Sequence, residues 1–193
     1  MNFYIADLHL GHDKIVEREK RPFRDTTDMD EQLIKNWNSH VTYKDTVYIL
    51  GDFIFKKNLW PYYLNRLAGK KVLLRGNHDP ATFNNDVRKY FDEITDYKEI
   101  LDDGRRVIMC HYPIPFHKYD YDRNIWMLYG HVHNTREYKY LQALRQELKD
   151  SREYEWHSRG NFINIGCMMP WMDYTPRTLD EIIAGDGMET EID

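Results

Sequence analysis

Six short apolar runs, each closing on polar residues, set the limits on how this chain folds. They are Phe3-Tyr4-Ile5-Ala6, Thr46-Val47-Tyr48-Ile49-Leu50, Val72-Leu73-Leu74, Val107-Ile108-Met109-Cys110, Ile125-Trp126-Met127-Leu128-Tyr129 and Phe162-Ile163-Asn164-Ile165. All are too short for ordinary helices, rich in β-branched and aromatic residues, and almost without polar interruption. That is the pattern of strands buried on both faces. Helical patterns lie between them. Asp28, with Glu31 three residues on, predicts a helix start, and Met29, Leu33, Ile34, Trp37 and Val41 form its apolar stripe. A second helix is expected from near Pro61 to Gly69, with Tyr63, Leu64 and Leu67 inward. A third follows Asp79-Pro80 and carries Phe83, Val87, Tyr90 and Phe91. Strands alternating with helices predict an α/β domain containing parallel strand pairs.

Between Arg136 and Arg159 the pattern changes. Tyr140, Leu141, Leu144 and Leu148 mark an amphipathic helix set in densely charged sequence. It reads as a solvated surface helix packed on the core, with a lid or a dimer arm as the rival reading. Thr178-Leu179-Asp180-Glu181 is a capping box that opens a short final helix, and the acidic tail after Gly185 is expected to fray. Neither a repeat nor a flexible linker interrupts the pattern. We therefore expect one domain over residues 1–193, with a charged helical insertion at about 135–160.

Composition narrows the class. Among 193 residues, 41% are apolar and 31% charged, which excludes collagen-like, low-complexity and disordered chains. No stretch approaches the roughly 20 apolar residues that span a bilayer, so no membrane partner is expected. Met1 leads almost directly into the first strand, with no basic region before an apolar one, and a cytoplasmic location is the expectation. Cys110 and Cys167, each inside an apolar run, read as buried reduced thiols. A net charge of −5 argues against coating long nucleic acid, although a metal can supply positive charge locally for a small anionic substrate.

The chemistry sits at the strand ends. Five of the six runs are followed by metal-ligand residue types: Asp7-Leu8-His9, Gly51-Asp52, Gly76-Asn77-His78-Asp79, His111, and Gly130-His131-Val132-His133. In α/β sheets ligands gather outside the carboxyl ends of strands, so residues distant in sequence can meet there. Singly, each signal reads as a turn residue or a hydrogen-bonded core histidine. Jointly they read otherwise, because so many imidazoles and carboxylates are costly to bury together unless a cation offsets the desolvation. The i, i+2 spacing of Asp7/His9 and of His131/His133 would, in extended backbone, point each pair to one side. Two carboxylates, one amide oxygen and four imidazoles make seven donors, more than one tetrahedral ion needs, which points to two divalent ions. Asp52, on the central loop, could bridge them. Mn²⁺ is placed first, and Fe, Zn²⁺ or Ni²⁺ suit the same nitrogen and oxygen donors.

These motifs, in this order over residues 7–133, resemble the calcineurin-like metallophosphoesterase superfamily. The run from Met1 to His12, Asn164-Ile165-Gly166 and the stretch from Pro176 to Ile182 look like its small bacterial and phage branch. The resemblance implies a four-layer α/β/β/α sandwich of two mixed sheets, with a dinuclear site at the carboxyl ends of the strands. It implies one metal on Asp7, His9 and His133, the other on Asn77, His111 and His131, and Asp52 between them. A water or hydroxide between the ions would attack phosphorus in line. His78 would stabilise the phosphoryl group or protonate the leaving oxygen, and Asp79 would orient its ring.

Around that centre the assignments are looser. His12, after Gly11, either reaches a substrate phosphate or is a solvent-exposed loop histidine. Arg21 and His117 are weaker substrate-contact candidates. The expected substrate is a small phosphorylated molecule, a phosphomonoester or phosphodiester of nucleotide-like kind. Tyr112, Phe116, Tyr119 and Tyr121 would stack a base or simply fill the surface. Two other functions stay open: an inert binding scaffold on the same fold, and a nuclease acting on short nucleic acids. The first usually shows broken ligand positions, and none is broken here. The second has no basic stripe to support it.

Overall fold

The computed structural model describes residues 1–151 and 157–186. In chain order the described elements are β1 (Asn2–Ile5), α1 (Ile15–Arg18), α2 (Thr26–His40), β2 (Thr46–Ile49), α3 (Trp60–Leu64), β3 (Lys70–Leu74) and α4 (Asn85–Arg88). Then come β4 (Glu93–Thr95), β5 (Tyr97–Asp102), β6 (Arg105–Cys110), β7 (Ile125–Tyr129), α5 (Arg136–Asp150), β8 (Phe162–Asn164) and α6 (Leu179–Asp186). The end of the charged run toward Arg159 falls partly outside the described residues, as does the acidic tail beyond 186.

All six apolar runs form strands, and they divide between two sheets of order β1-β2-β3-β4 and β5-β6-β7-β8. The first sheet is parallel throughout, with Tyr4 opposite Tyr48 and Tyr48 opposite Val72. Only the second is mixed: β5 runs antiparallel to β6, while β6, β7 and β8 are parallel. The expectation of two mixed sheets is corrected to that extent. The antiparallel pair comes from a two-residue turn, Asp103-Gly104, with φ of 48° and 78°. Asp-Gly is a preferred pair for such a turn because both positions need left-handed backbone.

Alternation along the second sheet sorts its side chains into two layers. Val107, Met109, Leu128 and Ile163 pack into the large core shared with the first sheet. Ile108, Met127, Tyr129 and Phe162 face the other way, beneath Leu141, Leu144 and Leu148 of α5. On the far side of the molecule α2 buries Met29, Leu33, Ile34 and Trp37 in the shared core. Each fully buried side chain of this size contributes roughly 1.5–3 kcal/mol. Two central sheets with flanking helices are the result, and α5 is a surface helix packed on the core.

Local chemistry moves some helix boundaries. Asp25, not Asp28, caps α2: its extended backbone lets the carboxylate accept from the Asp28 N–H at 2.9 Å. The Asp28 carboxylate reaches back to the Arg24 N–H at 3.0 Å. Helix α3 stops at Leu64, short of Gly69, and the chain then turns through Gly69 at a φ of 83° before β3. Helix α4 is a single turn capped by Asn84, so Phe83, Tyr90 and Phe91 lie outside it. Phe83 and Phe91 instead pack on Trp60, with ring centroids 4.9 and 6.1 Å away. The Thr178 capping box forms: the Thr178 N–H donates to the Glu181 carboxylate at 2.8 Å and the Glu181 N–H to the Thr178 hydroxyl at 3.4 Å.

Candidate metal centre

The loops after β1, β2, β3, β6 and β7 meet at one end of the sandwich, where the two sheets are stitched together. The Ala6 N–H donates to Ile165 at 3.0 Å, and Cys167 N–H returns a bond to the Ala6 carbonyl at 2.8 Å. Beyond this seam the loops also bond to one another: Asp7 N–H to Gly51 O at 3.1 Å, and His9 N–H to Asp52 O at 2.9 Å. Asp7 and His9 do not lie in extended backbone. Both are left-handed, at φ 57° and 51°, as are Asp52 at 49°, His131 at 69° and His133 at 47°. The reading that extended backbone aims each pair is thereby corrected. Alternating left-handed residues turn the side chains inward, a strained geometry that persists only where surrounding bonds enforce it.

Asp7, His9, Asp52 and His133 each offer a ligand atom, and these atoms all lie within 4.8 Å of one another. The His9 and His133 Nε2 atoms are 3.3 Å apart. Asp7 Oδ1 stands 3.6 Å from His133 Nε2, and Asp52 Oδ2 stands 3.6 Å from His9 Nε2. A second group adjoins. Asn77 Oδ1 is 3.1 Å from His111 Nε2 and 2.8 Å from His131 Nδ1. Asp52 Oδ1 lies 3.7 Å from His111 Nε2, so the Asp52 carboxylate faces both groups. The structure thus brings together all seven donors singled out in the sequence.

This donor set suits cations. Asp7 and Asp52 are almost fully buried, as are His9 and His111. Two imidazole nitrogens in direct contact can share only one proton, and His9 Nδ1 is buried with no hydrogen-bond partner. Burial raises the Asp7 carboxyl to about 6, against the lowering influence of His133 and His111. Burial first, then His133, pulls the His9 ring far below the usual imidazole range, which favours the neutral ring with one nitrogen bearing a free lone pair. His111 Nδ1 bonds the Leu50 carbonyl at 2.8 Å, which leaves Nε2 directed at Asp52 and Asn77. Space is equally restricted. A Cβ on Gly76 would stand 2.3 Å from Asp52 Oδ1, and one on Gly130 would stand 2.6 Å from Asp7 Oδ2.

Residues 3–178 match the model of the calcineurin-like phosphoesterase family. The chain belongs to that family. An uncharacterized protein of Methanocaldococcus jannaschii is 32% identical, covering 78% of this chain and 81% of its own length. The Gene 66 protein of Mycobacterium phage D29 is 29% identical over 93% of this chain and 92% of its own. Among solved structures, a protein of unknown function from Aquifex aeolicus superimposes with a TM-score of 0.68 at 28% identity, covering 95% of this chain and 98% of its own.

Several residues of this calcineurin-like phosphoesterase lie elsewhere than expected. Asp79 does not orient the His78 ring. Its carboxylate is taken up by three backbone N–H groups, of Asp52 at 2.9 Å, Phe53 at 3.1 Å and Gly76 at 2.8 Å. It therefore clamps the Asp52 loop to the Asn77 loop, and burial raises its carboxyl to about 6. Arg21 is no substrate contact. It points inward and bonds the Asp7 and Leu8 carbonyls at 3.0 Å each. His12 is not a solvent-exposed loop histidine; it is buried, its ring 3.9 Å from that of Phe55 and 5.8 Å from His9. His117 bonds its own neighbour, Lys118. Both cysteines are free, and Cys167 is buried as expected, whereas Cys110 is only half-buried.

Glu19 joins the centre without a sequence motif to mark it. It bonds His133 Nδ1 with one oxygen and Arg21 Nε with the other, yet lies 114 residues from His133. Nothing in its local sequence, Arg18-Glu19-Lys20, separates it from a solvated charge run. Among the described residues no helix is long and apolar enough to cross a membrane.

Proposed function

We propose that this chain is a metal-dependent phosphoesterase that uses two divalent ions, Mn²⁺ first among the candidates, to hydrolyse a small phosphomonoester or phosphodiester. The observation that carries this reading is the single buried carboxylate of Asp52 standing between two donor groups. Asp7, His9 and His133 would hold one ion, and Asn77, His111 and His131 the other. A pair of such ions supplies Lewis-acid stabilisation of phosphoryl oxygens and lowers the pKa of nucleophilic water. The chain's own residues do the rest.

His78 is placed to handle the leaving group. Its backbone N–H donates to Asp52 Oδ1 at 2.9 Å, while its half-exposed ring keeps Nε2 4.0 Å from Asp52 Oδ2. The loop is thus fixed while the imidazole faces the mouth, free to donate a proton to a departing alkoxide or a hydrogen bond to a phosphoryl oxygen. Exposed Phe55, 5.7 Å from the His78 ring, and exposed Tyr112, 4.7 Å from the His131 ring, supply flat apolar surface beside this mouth. They support a substrate of nucleotide-like kind. The net charge of −5 does not favour a long nucleic acid. Two free cysteines are consistent with a cytoplasmic setting.

The test is hydrolysis of aryl phosphomonoesters, phosphodiesters and nucleotides by chelator-treated protein reloaded with Mn²⁺. We expect turnover that depends on added metal. Asp52→Asn should reduce it at least about 100-fold, since losing a direct donor costs no less than losing a supporting one. His78→Ala should lower turnover while metal content stays at the wild-type level. An Asp52→Asn protein as active as the wild type would refute the reading.

A further inference from the structure

Behind one donor group, and among the described residues not behind the other, sits a buried ionic brace. All three guanidinium nitrogens of Arg21 are engaged: Nε with Glu19 Oε2 at 2.7 Å, Nη1 with Leu8 O and Nη2 with Asp7 O at 3.0 Å. The second Glu19 oxygen bonds His133 Nδ1. One cation therefore grips the backbone of the Asp7-Leu8-His9 loop, and through Glu19 it also holds the ring that arrives from the other sheet. A hydrogen bond at Nδ1 decides which ring nitrogen carries the proton. It leaves the Nε2 lone pair facing Asp7 and His9. In the second group His111 Nδ1 rests on the neutral Leu50 carbonyl, while His131 Nδ1 faces its fellow donor Asn77.

We infer that Glu19, fixed by Arg21, is a positioning residue that sets metal affinity at the Asp7–His9–His133 group independently of the second group. The inference rests on the metal reading above and deepens it. A ligating imidazole whose other nitrogen donates to a carboxylate is the more basic ligand and is held in one orientation, and removing such a partner typically costs 10–100-fold in affinity. Burial also makes the pair interdependent. Without Glu19, the Arg21 charge stays buried and loses the carboxylate that is its one ion-pair partner among the described residues. A cavity of about 370 Å³, lined by Arg18, Glu19, His133, Thr135, Met168 and Tyr174 among others, opens onto this contact. A small carboxylate from solution could therefore enter and stand where the Glu19 side chain was.

The experiment is calorimetric titration of the metal-free full chain with Mn²⁺, for the wild type, Glu19→Ala and Glu19→Gln. The wild type should take up two ions. Glu19→Ala should bind one of them about 10–100-fold more weakly and the other as in the wild type. Sodium acetate should restore the weakened position in a saturable manner, with the wild type in equal acetate as baseline, whereas acetamide should not. Glu19→Gln, which keeps the shape but not the charge, should be weakened at the same single position. If Glu19→Ala does not fold, Glu19→Gln decides alone, weakening at one position supporting the inference. Both variants binding as the wild type would overturn it. So would weakening of both positions without acetate rescue, which marks a packing role. A wild type that takes up no divalent ion would overturn the metal reading and this inference with it; a wild type matched by its variants overturns the inference alone.

Discussion

At the scale of single residues, the centre depends on atoms that are missing as much as on those that bind. Gly76 leaves room for the Asp52 carboxylate, since a Cβ there would stand 2.3 Å from Oδ1 and 2.8 Å from His111 Cε1. Neither neighbour can retreat: Asp52 Oδ1 is held by the His78 N–H, and His111 by the Leu50 carbonyl. Gly76→Ala should cost about 1–3 kcal/mol of stability through overpacking. It should also lower turnover by about 100-fold, the penalty of misplacing a reacting group by an ångström. Gly104→Ala is the control, because its φ is 78° but no atom lies within 4 Å of the added carbon. It should cost about 1–2 kcal/mol of backbone strain and leave turnover unchanged. Denaturation midpoints and steady-state rates on both variants check this; equal turnover losses would contradict it. Asp7, His9, Asp52, Asn77, His111, His131 and His133 were legible in sequence because each follows an apolar run and has a ligand's chemistry. Arg21 was legible only as a cation near the site. Its direction was not, because the carbonyls it bonds belong to backbone that leaves no mark in residue type.

Secondary-structure elements follow the same division. Strands with continuous apolar runs were readable, since all residues but one are buried in each of β1, β2 and β7. The edge strands β4 and β5 were not. β4 is Glu93-Ile94-Thr95 and β5 is Tyr97 to Asp102, and neither is buried enough to force an apolar pattern. Similarly, Asp25 and Asp28 both satisfy the rules for a helix cap, and only the backbone at Asp25 selects between them. One element carries a testable charge. Lys71, near the start of β3, is buried and donates to the Leu67 and Gly69 carbonyls at 2.7 and 2.9 Å. Burial lowers its amine from 10.5 to about 8, with the Asp92 charge acting in the opposite direction. Between those two values the unfolded chain holds a proton that the folded chain has released. Stability therefore rises with pH across that window, and the contribution is lost as pH falls through about 8. Urea midpoints should rise from pH 8 to pH 10 in the wild type relative to Lys71→Met. Parallel curves would show that Lys71 keeps its ordinary proton affinity.

For the molecule as a whole, the site exists because two sheets meet. Asp7, His9, Asp52 and Asn77 follow strands of the first sheet, while His111, His131 and His133 follow strands of the second. Each donor group draws on both: Asp7 and His9 with His133, and Asn77 with His111 and His131. A cation in either group would thus tie one sheet to the other. A two-sheet sandwich was implied only by the family resemblance, and which sheet supplies each donor needed the observed topology. Manganese-edge anomalous diffraction from crystals of the chelator-treated, Mn²⁺-reloaded protein tests the central claim most directly. The account predicts two peaks, one on each side of the Asp52 carboxylate, each bounded by residues from both sheets. A map with no peak beside Asp52, or with one peak served by a single sheet, would contradict it.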